Sequence, residues 1–145
     1  MDRPLIPRRS RAREVALQLL YQRDLNRQTD PAEAERFARE RLRDPDMVPF
    51  CLALYRGVVE HLNDLDRRLM AAATNWRLKR MAAVDRNVLR LGAYELLFTP
   101  ETPPAVAINE AIELARRFGS ADSPAFVNGV LDSLRPGAAP PAPTA

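Results

Sequence analysis

Cysteine, histidine, tryptophan and lysine each occur once in the 145 residues, and each scarcity closes a chemical route. A lone Cys51 can form no disulfide within the chain and no thiolate metal site. Set among Phe50, Leu52, Leu54 and Tyr55, it reads as a small buried hydrophobe. With His61 the only histidine, neither a histidine metal cluster nor a Cys-His relay has the residues it needs. His61 falls near a helix end and reads as a surface or capping residue. The five glycines, at 57, 92, 119, 129 and 137, are too scattered for a phosphate-cradling loop. No catalytic residue, metal or cofactor is therefore expected, although carboxylate-only chemistry stays open.

No apolar run approaches the ~18 residues of a membrane span, and no apolar stretch with a cleavage site follows the N-terminal arginines. A soluble cytoplasmic protein with no membrane partner is the expectation. There is also no internal repeat and no alternating run bounded by hairpin turns, so a sheet is not expected. The single Trp76 interrupts the helical pattern with Asn75 and Arg77, and a lone tryptophan at such a junction reads as a core plug rather than a base-stacking platform.

A chain of this length can bury a core without staples. Its 46% apolar and 28% charged content is that of a globular protein, and a formal charge of +3 is too small to argue for a nucleic-acid partner. Basic residues are 21 arginines and Lys79. Alongside abundant alanine and proline this reads as coding bias, so only the placement of the arginines is informative. Five of them, Arg3, Arg8, Arg9, Arg11 and Arg13, fall within the first thirteen residues. Guanidinium forks at a helix end take phosphates bidentately or stack on bases.

Hydrophobic spacing predicts an all-α protein. Residues 1–7, with Pro4 and Pro7, read as a flexible arm. Ala12, Val15, Ala16, Leu19 and Leu20 then form the stripe of a first helix from Arg9, ended by Gln28 to Asp30. Asp30, Pro31 and Glu33 supply an N-cap, a first-turn proline and a carboxylate for a second helix to about Arg43. The mixed charges of that helix read as a solvated face. A third helix is expected from Met47 to Asn63, followed by a helical stretch carrying Leu65, Leu69 and Met70. Asp85 to Phe98 is apolar nearly all round, as expected of a central helix, apart from a narrow stripe bearing Arg86, Arg90 and Tyr94. A helix opened by Thr102, Pro103 and Pro104 carries Ala107, Ile108, Ala111, Ile112, Ala115 and Phe118 on its buried face and is capped by Gly119. Ser123 and Pro124 open a last helix to Leu134. Residues 135–145, rich in proline and alanine, are expected to be disordered.

Two groups of residues carry candidate chemistry. Arg9, Arg13, Leu17 and Tyr21 follow one another at i+4 and form a row drifting from the edge of the apolar stripe toward solvent. Such a row can hold a single strand by phosphate pairing and base stacking. It reads equally as surface arginines pairing with Glu14 or Asp24 beside a half-buried tyrosine. Phe118, Asp122 and Phe126 surround the Gly119 turn, where rings and a carboxylate suit bases, or where both rings belong to the core.

Four segments resemble the sequence blocks of the NusB family of bacterial transcription antitermination factors, in family order: Arg9 to Tyr21 (RSRAREVALQLLY), Val84 to Leu96 (VDRNVLRLGAYEL), Val106 to Ala115 (VAINEAIELA) and Phe126 to Asp132 (FVNGVLD). The likeness runs from about residue 8 to 134. It implies a compact domain of about seven helices in two helical subdomains over 8–134. It also implies binding of the boxA element of nascent ribosomal RNA transcripts together with ribosomal protein NusE, as part of an antitermination complex on RNA polymerase with other Nus factors. By the resemblance the RNA surface comprises Arg8, Arg9, Arg11, Arg13, Tyr21, Asp85, Arg86, Arg90, Phe118, Asp122 and Phe126, with the NusE surface on a neighbouring face of the third to fifth helices. Ser10 interrupts the arginine run and Ala125 stands where many relatives carry lysine, which bears on affinity.

Two alternatives accompany this expectation. The helical RNA-binding part of a ribosomal RNA cytosine methyltransferase resembles the same family, but a chain of this length ending in a Pro/Ala tail is expected to leave no room for a catalytic domain. A helical protein-interaction scaffold or homodimer without sequence-specific RNA binding is the other. Some family members self-associate over the RNA surface.

Overall fold

The computed structural model describes residues 6–73 and 80–137. The expectations placed on Trp76, on residues 1–5 of the arm and on residues 138–145 of the tail lie outside them. Among the described residues there are seven helices and no strand: α1 Arg8–Leu25, α2 Pro31–Arg41, α3 Met47–Glu60, α4 Leu62–Ala72, α5 Ala83–Phe98, α6 Pro104–Phe118 and α7 Ser123–Leu134. None is long and apolar enough to cross a membrane. The chain divides into two compact units, residues 1–57 and 58–145.

In the first unit α1 packs on α2. The stripe Ala12, Val15, Ala16, Leu19 and Leu20 is buried, as are Ala34 and Ala38 of α2. The small alanines let the second helix approach the first closely. Helix α2 starts where its sequence dictates, with the Asp30 carboxylate accepting from the Ala32 amide at 3.0 Å and Pro31 in the first turn. It stops at Arg41, two residues short of the expected end, because Leu42 turns to an extended conformation and is itself buried. Cys51 is fully buried, and the loss of water around it pushes its thiol up to about 12.

In the second unit α5 packs against α4, α6 and α7, the central position expected of a helix apolar on most sides. Leu89, Leu91, Leu65, Leu69 and Leu131 are each fully buried, and burial of one such side chain stabilises by about 1.5–3 kcal/mol. Gly92 permits this packing: a Cβ there would lie 2.7 Å from Leu131 Cδ1 and 3.0 Å from Ala111 Cβ.

Three expectations are corrected here. The expected third helix ends at Glu60, and α4 begins at Leu62 as a separate helix. His61 occupies the N-cap position of α4 but makes no capping bond with its side chain; its ring lies 4.3 Å from that of Phe98 and 5.8 Å from Tyr94. On α6, Leu114 is buried where Phe118 was expected to be, and Phe118 is 40% exposed.

Candidate nucleic-acid interface

Helix α1 breaks the local electrostatic rule at its own start. A helix N-terminus is the positive end of the macrodipole and leaves backbone N–H groups without partners, so carboxylates are favoured there. The first turn of α1 has no acidic residue, and its cap, Pro7, provides no side-chain bond. Arginines occupy the turn instead. Such an end is stabilised by an incoming anion, which the backbone N–H groups and the guanidinium forks meet together.

The four arginines of this end have different surroundings. Arg9 is exposed, whereas Arg13 is only 3% exposed, and both guanidinium groups sit over the ring of Phe50 on α3, at 5.3 and 5.4 Å from its centroid. Phe50 was read from the sequence only as a neighbour of Cys51; nothing in its spacing signals that two cations share its face. Arg11 reaches Glu14, which is buried, at 2.9 Å. This is the intrahelical pairing left open by the sequence. Arg8 is bound by the Asp44 carboxylate from the loop before α3, with Asp46 Oδ2 at 3.6 Å. That contact holds the Arg8 guanidinium above its ordinary value and the Asp44 carboxyl below its own.

The expected i+4 row does not drift steadily into solvent. Arg9 is exposed, Arg13 and Leu17 are buried, and Tyr21 is exposed again at 40%. The row therefore presents its two ends, a guanidinium and a phenol, with a buried middle.

The second unit brings together three of its six expected residues. Asp85, Asp122 and Phe126 line one cavity of about 250 Å³ with Arg80, Met81, Ala82, Ser120 and Ser123. The cavity lies at the start of α5 and of α7, and it depends on the turn between α6 and α7. There Gly119 adopts an extended conformation, φ −96° and ψ −166°. It is required for closeness rather than for a left-handed cap: a Cβ would lie 2.5 Å from Ser123 Oγ and 2.8 Å from the Ala115 carbonyl. Ser123, expected as a cap residue, is the first residue of α7. Its buried hydroxyl accepts from the Ser120 amide at 2.9 Å and fixes the turn. Arg80, Ser120 and Ser123 were not anticipated as site residues; the turn brings Ser120 and Ser123 to Asp85, whereas Arg80 lies just before α5.

Arg90 is the correction among the expected contacts. It is 8% exposed and forms a bidentate pair with Asp66 of α4, and its Nη1 also donates to Asn87 Oδ1 at 3.2 Å. Asn87 in turn donates to the Ala83 carbonyl at 2.9 Å. This chain of bonds ties α5 to α4 and supports the first turn of α5. Arg86 remains half-buried, with Nη1 3.4 Å from the Met81 carbonyl. Phe118 lies under the Arg117 guanidinium at 5.7 Å and is open to solvent. Among the described residues there is no cluster of His, Cys, Asp and Glu able to hold a metal ion.

The fold and these residues define a class: an all-α protein in two units, with seven helices among the described residues, an arginine-bearing first helix and a carboxylate- and phenylalanine-lined cavity in the second unit. The chain matches the NusB family model over residues 10–136 and belongs to that family. It is 49% identical over 126 residues to the transcription antitermination protein NusB of Sorangium cellulosum, an overlap of 87% of this chain and 90% of that protein. Among solved structures, NusB of T. maritima is similar with a TM-score of 0.79 at 38% identity, over 93% of this chain and 94% of that one. A chain in the crystal structure of the antitermination factors NusB and NusE in complex with dsRNA is similar with a TM-score of 0.77 at 26% identity, over 90% and 97%.

Proposed function

We propose that this chain is a non-enzymatic transcription antitermination factor that binds the boxA element of nascent ribosomal RNA transcripts together with NusE, within an antitermination complex on RNA polymerase. The observation that carries the reading is the start of α1 in a member of the NusB family: a first turn that holds arginines and no acidic residue, at a helix end suited to phosphate. The relative crystallised as NusB and NusE with dsRNA supports both partners.

In this reading residues 8–134 form the RNA-binding body. Arg8, Arg9, Arg11 and Arg13 meet phosphates, and Tyr21 offers a ring for stacking. Asp85, Arg86, Asp122, Phe118 and Phe126 meet bases and backbone from the second unit, with Arg90 positioning α5. The cytoplasm, where transcripts are made, is the compartment this role requires. Light scattering tests it. A mixture of the chain, NusE and boxA RNA should give the mass of one copy of each. A homodimer whose mass boxA leaves unchanged would instead favour a protein scaffold.

A further inference from the structure

We propose that Phe50 of α3 is a positioning residue for RNA binding: its ring holds the Arg9 guanidinium without consuming its N–H donors, which stay open to a phosphate. The inference rests on the RNA-binding reading above and names what prepares one of its arginines.

The arginines that open α1 are held in two ways. Arg8 is bound by the Asp44 carboxylate, and Arg11 gives its Nη1 to Glu14. A carboxylate fixes a guanidinium by taking its donors and cancelling its charge, the two properties with which an arginine binds phosphate. Arg9 is held differently. Among the described residues it forms no hydrogen bond and no ion pair, and its Cζ lies 5.3 Å from the centroid of the Phe50 ring, within the ~6 Å reach of a cation–π attraction. A ring draws the cation with its π cloud and offers no carboxylate, so both charge and donors are kept.

Phe50 is itself steadied. It stands half-buried in the first turn of α3, and the guanidinium of Arg13, only 3% exposed, also lies over its ring at 5.4 Å. An exposed arginine loses rotamer freedom when a phosphate captures it, and one already held against a ring has less to lose. Phe50 therefore acts on RNA through Arg9, with no contact of its own required.

The test is a double-substitution cycle read as affinity for boxA RNA in the presence of NusE. Phe50→Leu, which keeps an apolar side chain and removes the ring, should weaken binding roughly two- to fivefold. Phe50→Tyr, which restores a ring, should bring affinity back to within about twofold of the unsubstituted protein. In an Arg9→Ala background Phe50→Leu should cost less than about 1.5-fold, because the group it positions is gone. Thermal melts establish folding. Where Phe50→Leu unfolds the chain, replacement of Phe50 by a trifluorinated phenylalanine, similar in shape but with its π charge withdrawn, carries the same expectation. An equal loss in the presence and absence of the Arg9 side chain, or no loss in a folded variant, overturns the role of Phe50 alone. Failure of the unsubstituted protein to bind boxA in the presence of NusE overturns the RNA-binding reading as well.

Discussion

Two bonds join Arg90 of α5 to Asp66 of α4, Nε to Oδ1 at 2.8 Å and Nη2 to Oδ2 at 2.9 Å. The partners lie 24 residues apart in sequence, and their side chains are 10% and 25% exposed. A planar fork on a carboxylate at this depth is sensitive to loss of either partner, because the other is left with an uncompensated charge. Asp66→Ala and Arg90→Ala should each destabilise by about 2–4 kcal/mol. Denaturant melts measure this, and the double substitution should cost less than the sum of the two. Asp66→Asn, which touches no proposed RNA contact, should share much of the stability loss while leaving the salt dependence of RNA binding unchanged.

Arg9 and Arg13 share the face of Phe50 but differ in burial, and so should their substitutions. Arg9→Ala should leave the melting temperature nearly unchanged and reduce the slope of log affinity against log salt by about 0.7, the share of one phosphate on a single strand. Arg13→Ala removes a buried side chain and should lower both stability and RNA affinity. Titrations at several salt concentrations, alongside melts, separate the two.

In the proposed reading Asp44 competes with RNA for Arg8. Its carboxylate occupies the guanidinium that an incoming phosphate would take. Asp44→Asn should therefore raise RNA affinity a few-fold, within the range of an exposed ion pair. The same change in an Arg8→Ala background should have a smaller effect. Fluorescence anisotropy with labelled boxA RNA reads both.

Cys51 provides a pH signature of the first unit. Burial raises its thiol from an ordinary value of 9.0 to about 12, so the fold favours the neutral form. Stability from this source is fully present below pH 9 and is lost as pH rises toward 12, with a slope approaching about 1.4 kcal/mol per pH unit. Cys51→Ala should flatten that decline in urea melts taken between pH 8.5 and 11. In the native protein at pH 8 the thiol should react far more slowly with a disulfide reagent than in urea.

The helix starts and ends that were legible in the sequence are those with local chemistry. Asp30 and Pro31, Pro104, and Ser123 with Pro124 mark their helix starts to within a residue, because caps and prolines act on the backbone beside them. The break at His61 between α3 and α4 has no proline and no glycine, so apolar spacing ran through it. At the site, spacing located Arg9 and Tyr21 on one row but not the burial between them, which depends on what packs there. The Arg90 stripe was legible as a polar row on α5. Its partner Asp66 was not, since no local pattern reports a contact across 24 residues. Phe50 was missed for the same reason: sharing a ring between two arginines is a property of α1 and α3 together.

The account's central claim is that this chain reads boxA RNA with NusE, and competitive titration tests it most directly. Labelled boxA RNA is bound by the chain with and without NusE, and unlabelled boxA and a base-scrambled RNA of equal length compete. The account predicts that NusE tightens binding and that boxA competes at least about tenfold better than the scrambled RNA. Equal competition by the two RNAs in the presence of NusE would contradict it.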